Sequence, residues 1–260
     1  MKNIKNNYLE FFALLFPIFM NSQTDLAYHE PSNILLIEKN EKVLDIGINY
    51  NSQYKEFQAI YNSNNKFSAF AMYNFNDSES STKSVFGDVT NYQNNNTGYS
   101  LGAGFRNFGT IGRYKILELL VGYEYHKDFI EKLGKKYSSF DNLPLDQSYS
   151  KFFLQFNMIK ENERTVSAFS LKTSTFKFIE NPLYKGQKNI FIAPTYSFCY
   201  KILSDKSLVL SSQTGVSVPV RIFENIRDFG NNGYSTQSDY LISGLLKFGI
   251  QYKFNLKKTI

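Results

Sequence analysis

The sequence predicts an all-β fold, and three observations support that prediction. The chain of 260 residues has a mean hydropathy of −0.34 although 17% of its residues are aromatic, and it lacks the run of about 20 apolar residues that a membrane-spanning helix needs. About ten segments alternate apolar and polar residues with a period of two, which is typical of half-buried strands. Most segments reach the ~9–11 residues that a tilted strand needs to cross a bilayer, whereas soluble strands average about 5–6. We therefore predict a transmembrane antiparallel up-and-down β-barrel with ten strands. Eight or twelve strands are the alternatives for the strand number, and a soluble β-sandwich is the alternative fold.

The first 23 residues have the layout of a secretory signal peptide. Lys2 and Lys5 precede a short apolar core at residues 8–20, and polar residues follow that core. A buried N-terminal helix is the alternative for this segment. We expect cleavage near residues 22–24, and no cysteine follows the core to accept a lipid anchor. The expected order is a signal peptide at residues 1–23, a periplasmic N-terminal segment at 24–42, the barrel at 43–256 and a short C-terminal tail at 257–260.

The ten strands are predicted in chain order from their alternation. The first half of the chain contains residues 43–50, 54–61, 67–75, 98–106 and 114–126. The second half contains residues 149–160, 165–177, 188–201, 207–218 and 241–254. The segment 67–75 is ambiguous because both of its faces are largely apolar. Pro194 removes a donor from the eighth strand, so we expect it at a bulge or another irregular position.

The predicted connections alternate in length. Short links occupy residues 62–66, 107–113, 161–164 and 203–206. Long polar loops occupy residues 76–97, 127–148, 178–187 and 219–240. The link 51–53 is the exception, since it is short where this rule expects a long loop. Short turns on one side and long loops on the other are typical of outer-membrane barrels, and an even strand number places both termini on one side. We expect short periplasmic turns and long extracellular loops.

A local motif lies in the last predicted strand. Lys247, Gly249, Tyr252 and Phe254 fit the spacing polar-x-Gly-x-x-aromatic-x-aromatic. This spacing resembles the terminal signal by which the barrel-assembly machinery selects its substrates. The resemblance implies insertion into a Gram-negative outer membrane, with the assembly machinery and outer-membrane lipids as partners. The residues after Phe254 are a departure, because many barrels end at the final aromatic residue.

The wider chain resembles small outer-membrane β-barrel proteins of Bacteroidota type. The resemblance lies in the strand layout and in three segments: GYSLGAGF at 98–105, IAPTYSF at 192–198 and LKFGIQYKF at 246–254. It covers nearly all of the chain after the signal peptide, although the lipobox cysteine of anchored relatives is missing. The family implies a fold and a location without fixing an activity. We expect the glycines of GYSLGAGF to relieve crowding or permit curvature, because no helix follows to complete a phosphate loop.

The alternation also predicts which charges face the interior. The inward set has six cations and four acids: Asp45, Glu56, Arg106, Glu118, Glu124, Lys151, Lys172, Lys201, Lys247 and Lys253. If the fifth and sixth strands form a regular hairpin, Glu124 lies opposite Lys151 and His126 lies opposite Tyr149, which predicts a cross-strand ion pair. We favour an internal ion-pair network that fills a narrow barrel. The alternative is a narrow pore whose cationic lumen weakly favours anions.

Catalytic and metal-binding signals are sparse. A rim hydrolase could use His126 beside Glu124 and Asp128, but a solvated histidine is the simpler interpretation, and we do not expect an enzyme. Two distant histidines and the single Cys199 lack the spacing of a metal site, and Cys199 is expected to be a packing residue. The net charge of +6 comes without a long basic run, so we expect no nucleic-acid partner and no cofactor.

A structural, surface or interaction role is therefore the function that the sequence predicts, with no specific ligand. The outer loops 76–97, 127–148 and 219–240 would carry recognition of a surface partner. The pore is the first alternative and the rim hydrolase is the second.

Overall fold

A computed structural model describes most of the predicted barrel. It covers residues 43–50, 54–63, 66–83, 89–106, 109–114, 116–133, 145–181, 184, 186–203, 207–221, 223–228, 234–239 and 243–256. The expected signal peptide, the segment 24–42 and the tail 257–260 lie outside these ranges.

Twelve strands are found in the described part of the chain. The first six are β1 (Val43–Tyr50), β2 (Lys55–Ser63), β3 (Phe67–Lys83), β4 (Val89–Arg106), β5 (Ile116–Leu133) and β6 (Leu145–Glu161). The last six are β7 (Thr165–Glu180), β8 (Lys188–Lys201), β9 (Leu208–Pro219), β10 (Phe223–Asp228), β11 (Tyr234–Asp239) and β12 (Ser243–Asn255). In the described ranges no helix has the length and apolar character needed to span a membrane.

Ten of these strands close into a barrel. The order around it is β1-β12-β9-β8-β7-β6-β5-β4-β3-β2, and every neighbouring pair is antiparallel. Val43 pairs with Asn255, so the first strand and the last strand close the ring. The predicted ten-stranded up-and-down barrel is confirmed.

The two ends of the barrel differ. We call the end that carries the β2–β3, β4–β5, β6–β7 and β8–β9 connections the turn end. The opposite end, with the β3–β4, β5–β6 and β7–β8 connections, is the loop end. The start of β1 and the finish of β12 both lie at the turn end, as the even strand number predicts.

The interpretation of residues 76–97 as a loop was wrong. The β3–β4 ladder continues from Phe75↔Thr97 to Lys83↔Val89, so this hairpin projects beyond the barrel wall. Its serine and asparagine residues give no apolar–polar alternation from which a strand could be predicted. Backbone groups form the ladder, and no apolar face is needed where the strand leaves the core. Strands β5 and β6 extend in the same way into the predicted loop 127–148. The predicted loop 219–240 contains the separate β10–β11 hairpin.

Two irregularities interrupt the ladders. The β8–β9 register passes from Ile192↔Val218 to Thr195↔Gly215 without pairs for Ala193 and Pro194, which confirms the expected irregular position of the proline. The β6–β7 register shifts between Ser148 and Tyr149. The shift was not predicted, and both of these residues are buried.

The barrel is apolar outside and polar inside. Exposed apolar side chains form a surface that we call the apolar belt: Ile46, Ile48, Tyr50, Phe57, Tyr61, Phe67, Tyr73, Tyr99, Leu101, Phe105, Leu119, Val121, Phe152, Leu154, Leu171, Ile190, Ile192, Phe198, Tyr200, Leu210, Phe248, Ile250, Tyr252 and Phe254. On β8 the belt runs from Tyr200 to Ile190, about 10 residue steps, which is about 25 Å at a tilt of ~40°. On β5 it ends before Lys127, an exposed cation. The predicted outward direction of the apolar faces is confirmed.

The glycines of β4 lie where neighbouring strands come close. A Cβ at Gly102 would lie 2.3 Å from the carbonyl oxygen of Val121 and 2.4 Å from the ring of Phe70. At Gly104 the carbonyl oxygen of Leu119 would also be 2.3 Å away. Relief of crowding, one of the two roles expected for these glycines, is therefore confirmed.

Replacing Gly102 with alanine is expected to lower the free energy of unfolding by about 1–3 kcal/mol, because the β5 backbone must move to admit a methyl group. Urea unfolding in detergent micelles measures the change. Ala103→Val is the matched control, since the adjacent side chain points outward and is half-exposed. Equal stability of Gly102→Ala and the wild type would contradict the expected crowding.

Candidate functional site

The predicted inward charges all reach the barrel interior. Each of these ten side chains is buried: Asp45, Glu56, Arg106, Glu118, Glu124, Lys151, Lys172, Lys201, Lys247 and Lys253. They lie on inward positions of β1, β2 and β4 to β8, and of β12, because side chains alternate across each strand. The interior is therefore charged as well as polar.

A three-residue ion cluster lies at the centre of this network. Glu124 and Lys151 are directly opposite in the β5–β6 register, with 2.6 Å between Oε2 and Nζ, so the predicted cross-strand pair is confirmed. Lys172 on β7 was predicted to point inward, but its contact with this carboxylate was not predicted: its Nζ lies 2.5 Å from Oε1. That ammonium also lies 4.5 Å from the ring centroid of Phe153. We call Glu124, Lys151 and Lys172 the charged triad.

Further pairs neutralise most of the other interior charges. Arg106 Nε lies 3.0 Å from Glu118 Oε1, and Asn157 donates a hydrogen bond to the second oxygen of that carboxylate at 2.9 Å. Two further lysines find acids that are not on a directly paired strand position. Lys247 Nζ is 3.0 Å from Glu56 Oε1 and Lys201 Nζ is 2.6 Å from Glu161 Oε1. The predicted network of internal ion pairs is confirmed.

Apolar clusters occupy the rest of the interior. The cluster near the turn end contains Ile116, Ile159, Val166, Ala168, Cys199 and Val209. The middle cluster contains Ile60, Phe70, Met72, Leu120 and Phe153. The cluster near the loop end contains Tyr149, Phe176, Phe178, Tyr184 and Phe191. Together with the ion pairs these side chains fill the cross-section of the barrel, as expected for a small strand number. Cys199 is buried with a free thiol and packs among aliphatic side chains, as predicted.

His126 belongs to the aromatic cluster near the loop end. Its ring stacks on Tyr149, its predicted partner across the strands, at 4.9 Å and 15°. The side chain is only 2% exposed, so the interpretation of His126 as a solvated histidine was wrong. His126 lies two residues after the inward Glu124, so strand alternation directs the histidine inward as well. This alternation was already visible in the sequence. The carboxylate of Glu124 is bound to two lysines, which leaves Asp128 as the other inward acid on this part of β5.

A buried polar chain continues from Asp128 towards the loop end. Gln147 Nε2 donates to Asp128 Oδ2 at 3.2 Å, Asn181 Nδ2 donates to Gln147 Oε1 at 2.9 Å, and the backbone N–H of Tyr184 donates to Asn181 Oδ1 at 2.8 Å. Asp128 lies beyond the apolar belt, past the exposed Lys127. Burial raises the pKa of Asp128 to about 7, and the hydrogen bond from Gln147 opposes that rise only in part. Sequence reasoning placed Asp128 in a loop and so missed this chain.

Within the described ranges, no three histidine, cysteine or acidic residues come together in a way that could hold a metal ion. His29 lies outside those ranges.

The residues of the terminal motif divide between the two faces of β12. Lys247 and Gly249 point inward, where Lys247 binds Glu56. Tyr252 and Phe254 point outward and contact each other, with ring centroids 4.8 Å apart. Both aromatic residues of the motif therefore lie exposed on the strand that closes the barrel. Recognition of this strand by assembly machinery stays a prediction.

Comparison with known proteins gives a fold-level likeness only. No family model matches the sequence, and no curated protein matches it. Among solved structures, the chain is similar to the translocator domain of the autotransporter NalP from Neisseria meningitidis, with 12% identity and a TM-score of 0.37 over 82% of this chain and 86% of that chain. It is also similar to CarO2 from Acinetobacter baumannii, with 11% identity and a TM-score of 0.33 over 83% of this chain and 100% of that chain.

Proposed function

We propose that this chain is an integral outer-membrane β-barrel protein with a structural, surface or interaction role. The observation that carries the proposal is that apolar side chains lie outside and charged side chains lie inside, the opposite of a soluble protein. Large apolar side chains such as Phe152 (65% exposed) and Phe248 (58% exposed) lie outside, while the charged triad is buried. In water this arrangement would expose a continuous apolar surface far larger than monomeric soluble proteins tolerate.

A bilayer removes that cost. The belt of about 25 Å matches the outward apolar band of outer-membrane barrels. Closure between β1 and β12 satisfies the backbone hydrogen bonds that an open edge would leave unpaired in hydrocarbon. Aromatic residues near both borders of the belt, such as Tyr200 and Tyr252 at the turn end and Tyr50 and Tyr99 at the loop end, suit the interfacial regions of a membrane.

The filled interior favours a structural or surface role. The charged triad and the aromatic cluster occupy the space through which a solute would pass. The projecting β3–β4 hairpin and the separate β10–β11 hairpin both belong to loop-end connections. We infer that this end faces the exterior and carries any recognition of a partner. Export through the N-terminal signal peptide and assembly through the terminal motif belong to the same proposal.

Leu154→Arg tests the lipid-facing belt. Leu154 is 47% exposed and lies opposite Val121 and Thr173 near the middle of the belt. An arginine there is expected to lower the stability of the protein in lipid vesicles by about 2–4 kcal/mol. Urea titration in phosphatidylcholine vesicles, read from the heat-modifiable mobility of the folded barrel on a gel, measures the change.

Glu163→Arg is the control, because Glu163 is exposed in the β6–β7 turn outside the belt. It should leave the titration unchanged. The wild-type protein should fractionate with the outer membrane. Recovery in a soluble fraction, or unchanged stability of Leu154→Arg in vesicles, would defeat the proposal.

A further inference from the structure

We propose that Lys177 and Lys188 form a binding site for the phosphate group of a lipid headgroup, at the loop-end border of the apolar belt. The proposal rests on the proposed function, because it needs the belt to lie in a bilayer. The ligand class is an anionic phospholipid or another lipid with an exposed phosphate.

The two lysines are directly opposite each other on neighbouring strands. Lys177 on β7 and Lys188 on β8 are partners in the register, so their Cβ atoms are about 4.5–5.5 Å apart. Phe176 and Phe178 point inward on β7, as does Asn189 on β8. Both lysines therefore point outward, and both are exposed.

This pair differs from two other exposed lysines at the loop end whose side chains the structure describes, Lys127 and Lys55. Lys127 lies 3.7 Å from Asp146, and the ammonium of Lys55 lies 5.8 Å from the ring centroid of Phe75. Lys177 and Lys188 have each other as cross-strand neighbours, and among the described residues neither takes part in an ion pair. Glu180, the nearest acid along β7, forms an ion pair with neither lysine.

The pair lies at the height of a headgroup. On β8 the belt spans about 25 Å between Tyr200 and Ile190, and Lys188 is the next outward residue. Exposed Arg221 follows β9 near this border, where its backbone oxygen accepts a hydrogen bond from Asn189 Nδ2 at 2.7 Å. Lysine stems can lie along apolar surface while the ammonium groups reach the headgroup layer.

A bound phosphate would offset the repulsion between the two lysine charges. Like charges placed directly opposite on adjacent strands repel each other. An anion between the two ammonium groups replaces that repulsion with two attractions, and each contact to an anionic headgroup region is worth about 1 kcal/mol, or roughly fivefold in association. Outside a bilayer the same two charges would be separated only by water.

A single tryptophan can report on lipids at this site. The natural chain contains none, and Ile190 points outward beside Lys188 and opposite Thr175. The full-length Ile190→Trp protein is folded into phosphatidylcholine vesicles that contain brominated phosphatidylcholine or brominated phosphatidate. The ratio of the two quenching efficiencies gives the relative association of the anionic lipid. Thr175→Trp is the second reporter if Ile190→Trp folds poorly.

The expected preference for phosphatidate is about fivefold or more. It should fall to near one when Lys177→Gln and Lys188→Gln are combined in the reporter protein. Lys160→Gln, at the turn-end border of β6, should leave it unchanged. The preference is also measured in sodium phosphate and in sodium chloride of equal ionic strength. If only sodium phosphate abolishes it, the site binds free phosphate and the lipid assignment is overturned.

The remaining outcomes separate this inference from the proposed function. Equal quenching by both brominated lipids would overturn the lysine site while leaving the belt in lipid. Absence of quenching by either lipid would contradict the membrane location itself, and the lysine site with it.

Discussion

Replacing Glu124 with glutamine is expected to lower the free energy of unfolding by about 3–5 kcal/mol, because the change leaves two buried ammonium groups without their shared carboxylate. Lys151 and Lys172 both contact this side chain, and all three side chains are buried. Glutamine keeps the size of the side chain and removes its charge. Urea unfolding in detergent micelles measures the loss.

Two comparisons make this test specific. Asp146→Asn removes the carboxylate from a half-exposed pair with Lys127 and should cost no more than about 1 kcal/mol. Combining Glu124→Leu with Lys151→Met and Lys172→Met removes all the triad charges and should recover most of the stability, because a well-packed apolar set avoids the desolvation of buried ions. A Glu124→Gln protein as stable as the wild type would show that the triad is not a closed electrostatic unit.

Replacing Asp128 with asparagine is expected to stabilise the protein at pH 8 by up to about 4 kcal/mol and to flatten its pH dependence. The pKa of Asp128 in the folded protein is raised from 3.8 to about 7, so the folded state holds a proton that the unfolded state releases. The wild type therefore gains stability as the pH falls from about 7 to about 4, and the cost of the buried charge is fully present above pH 7. Asparagine can still accept the hydrogen bond from Gln147.

Unfolding titrations of the wild type and Asp128→Asn at several pH values check this expectation. The exposed Asp146→Asn variant is the control and should follow the wild-type pH profile. If wild-type stability instead rises between pH 4 and pH 7 in step with Asp128→Asn, the buried carboxyl group does not carry the proton.

The membrane-length strands were the predictable part of this fold. From Ile190 to Tyr200 on β8 and from Gly244 to Phe254 on β12, every second residue is apolar, so both the strand and its outward face follow from the sequence. The projecting part of β3 shows where this signal ends. Its polar residues have no apolar face to present, and only the backbone ladder to β4 reveals a strand.

The interior was predictable residue by residue but less so as a set of contacts. Alternation identified Glu124 and Lys151 as inward and opposite, because cross-strand neighbours follow from a regular hairpin. It could not show that Lys172 reaches the same carboxylate, since that contact spans two strand positions and depends on barrel curvature and side-chain length. The register shift at Ser148 and Tyr149 was also hidden, because no residue type marks it.

The pairing of β1 with β12 has a consequence for how the chain reaches its final shape. Val43 and Asn255 come from opposite ends of the barrel sequence, so the last ladder is a contact of very high sequence separation, and loop-closure entropy opposes it until the other nine ladders exist. Until that step, the nascent sheet has two open edges with unpaired backbone groups, each a template for pairing with another chain. A chain that lacks β12 would leave β1 and β9 as open edges, and we expect it to aggregate.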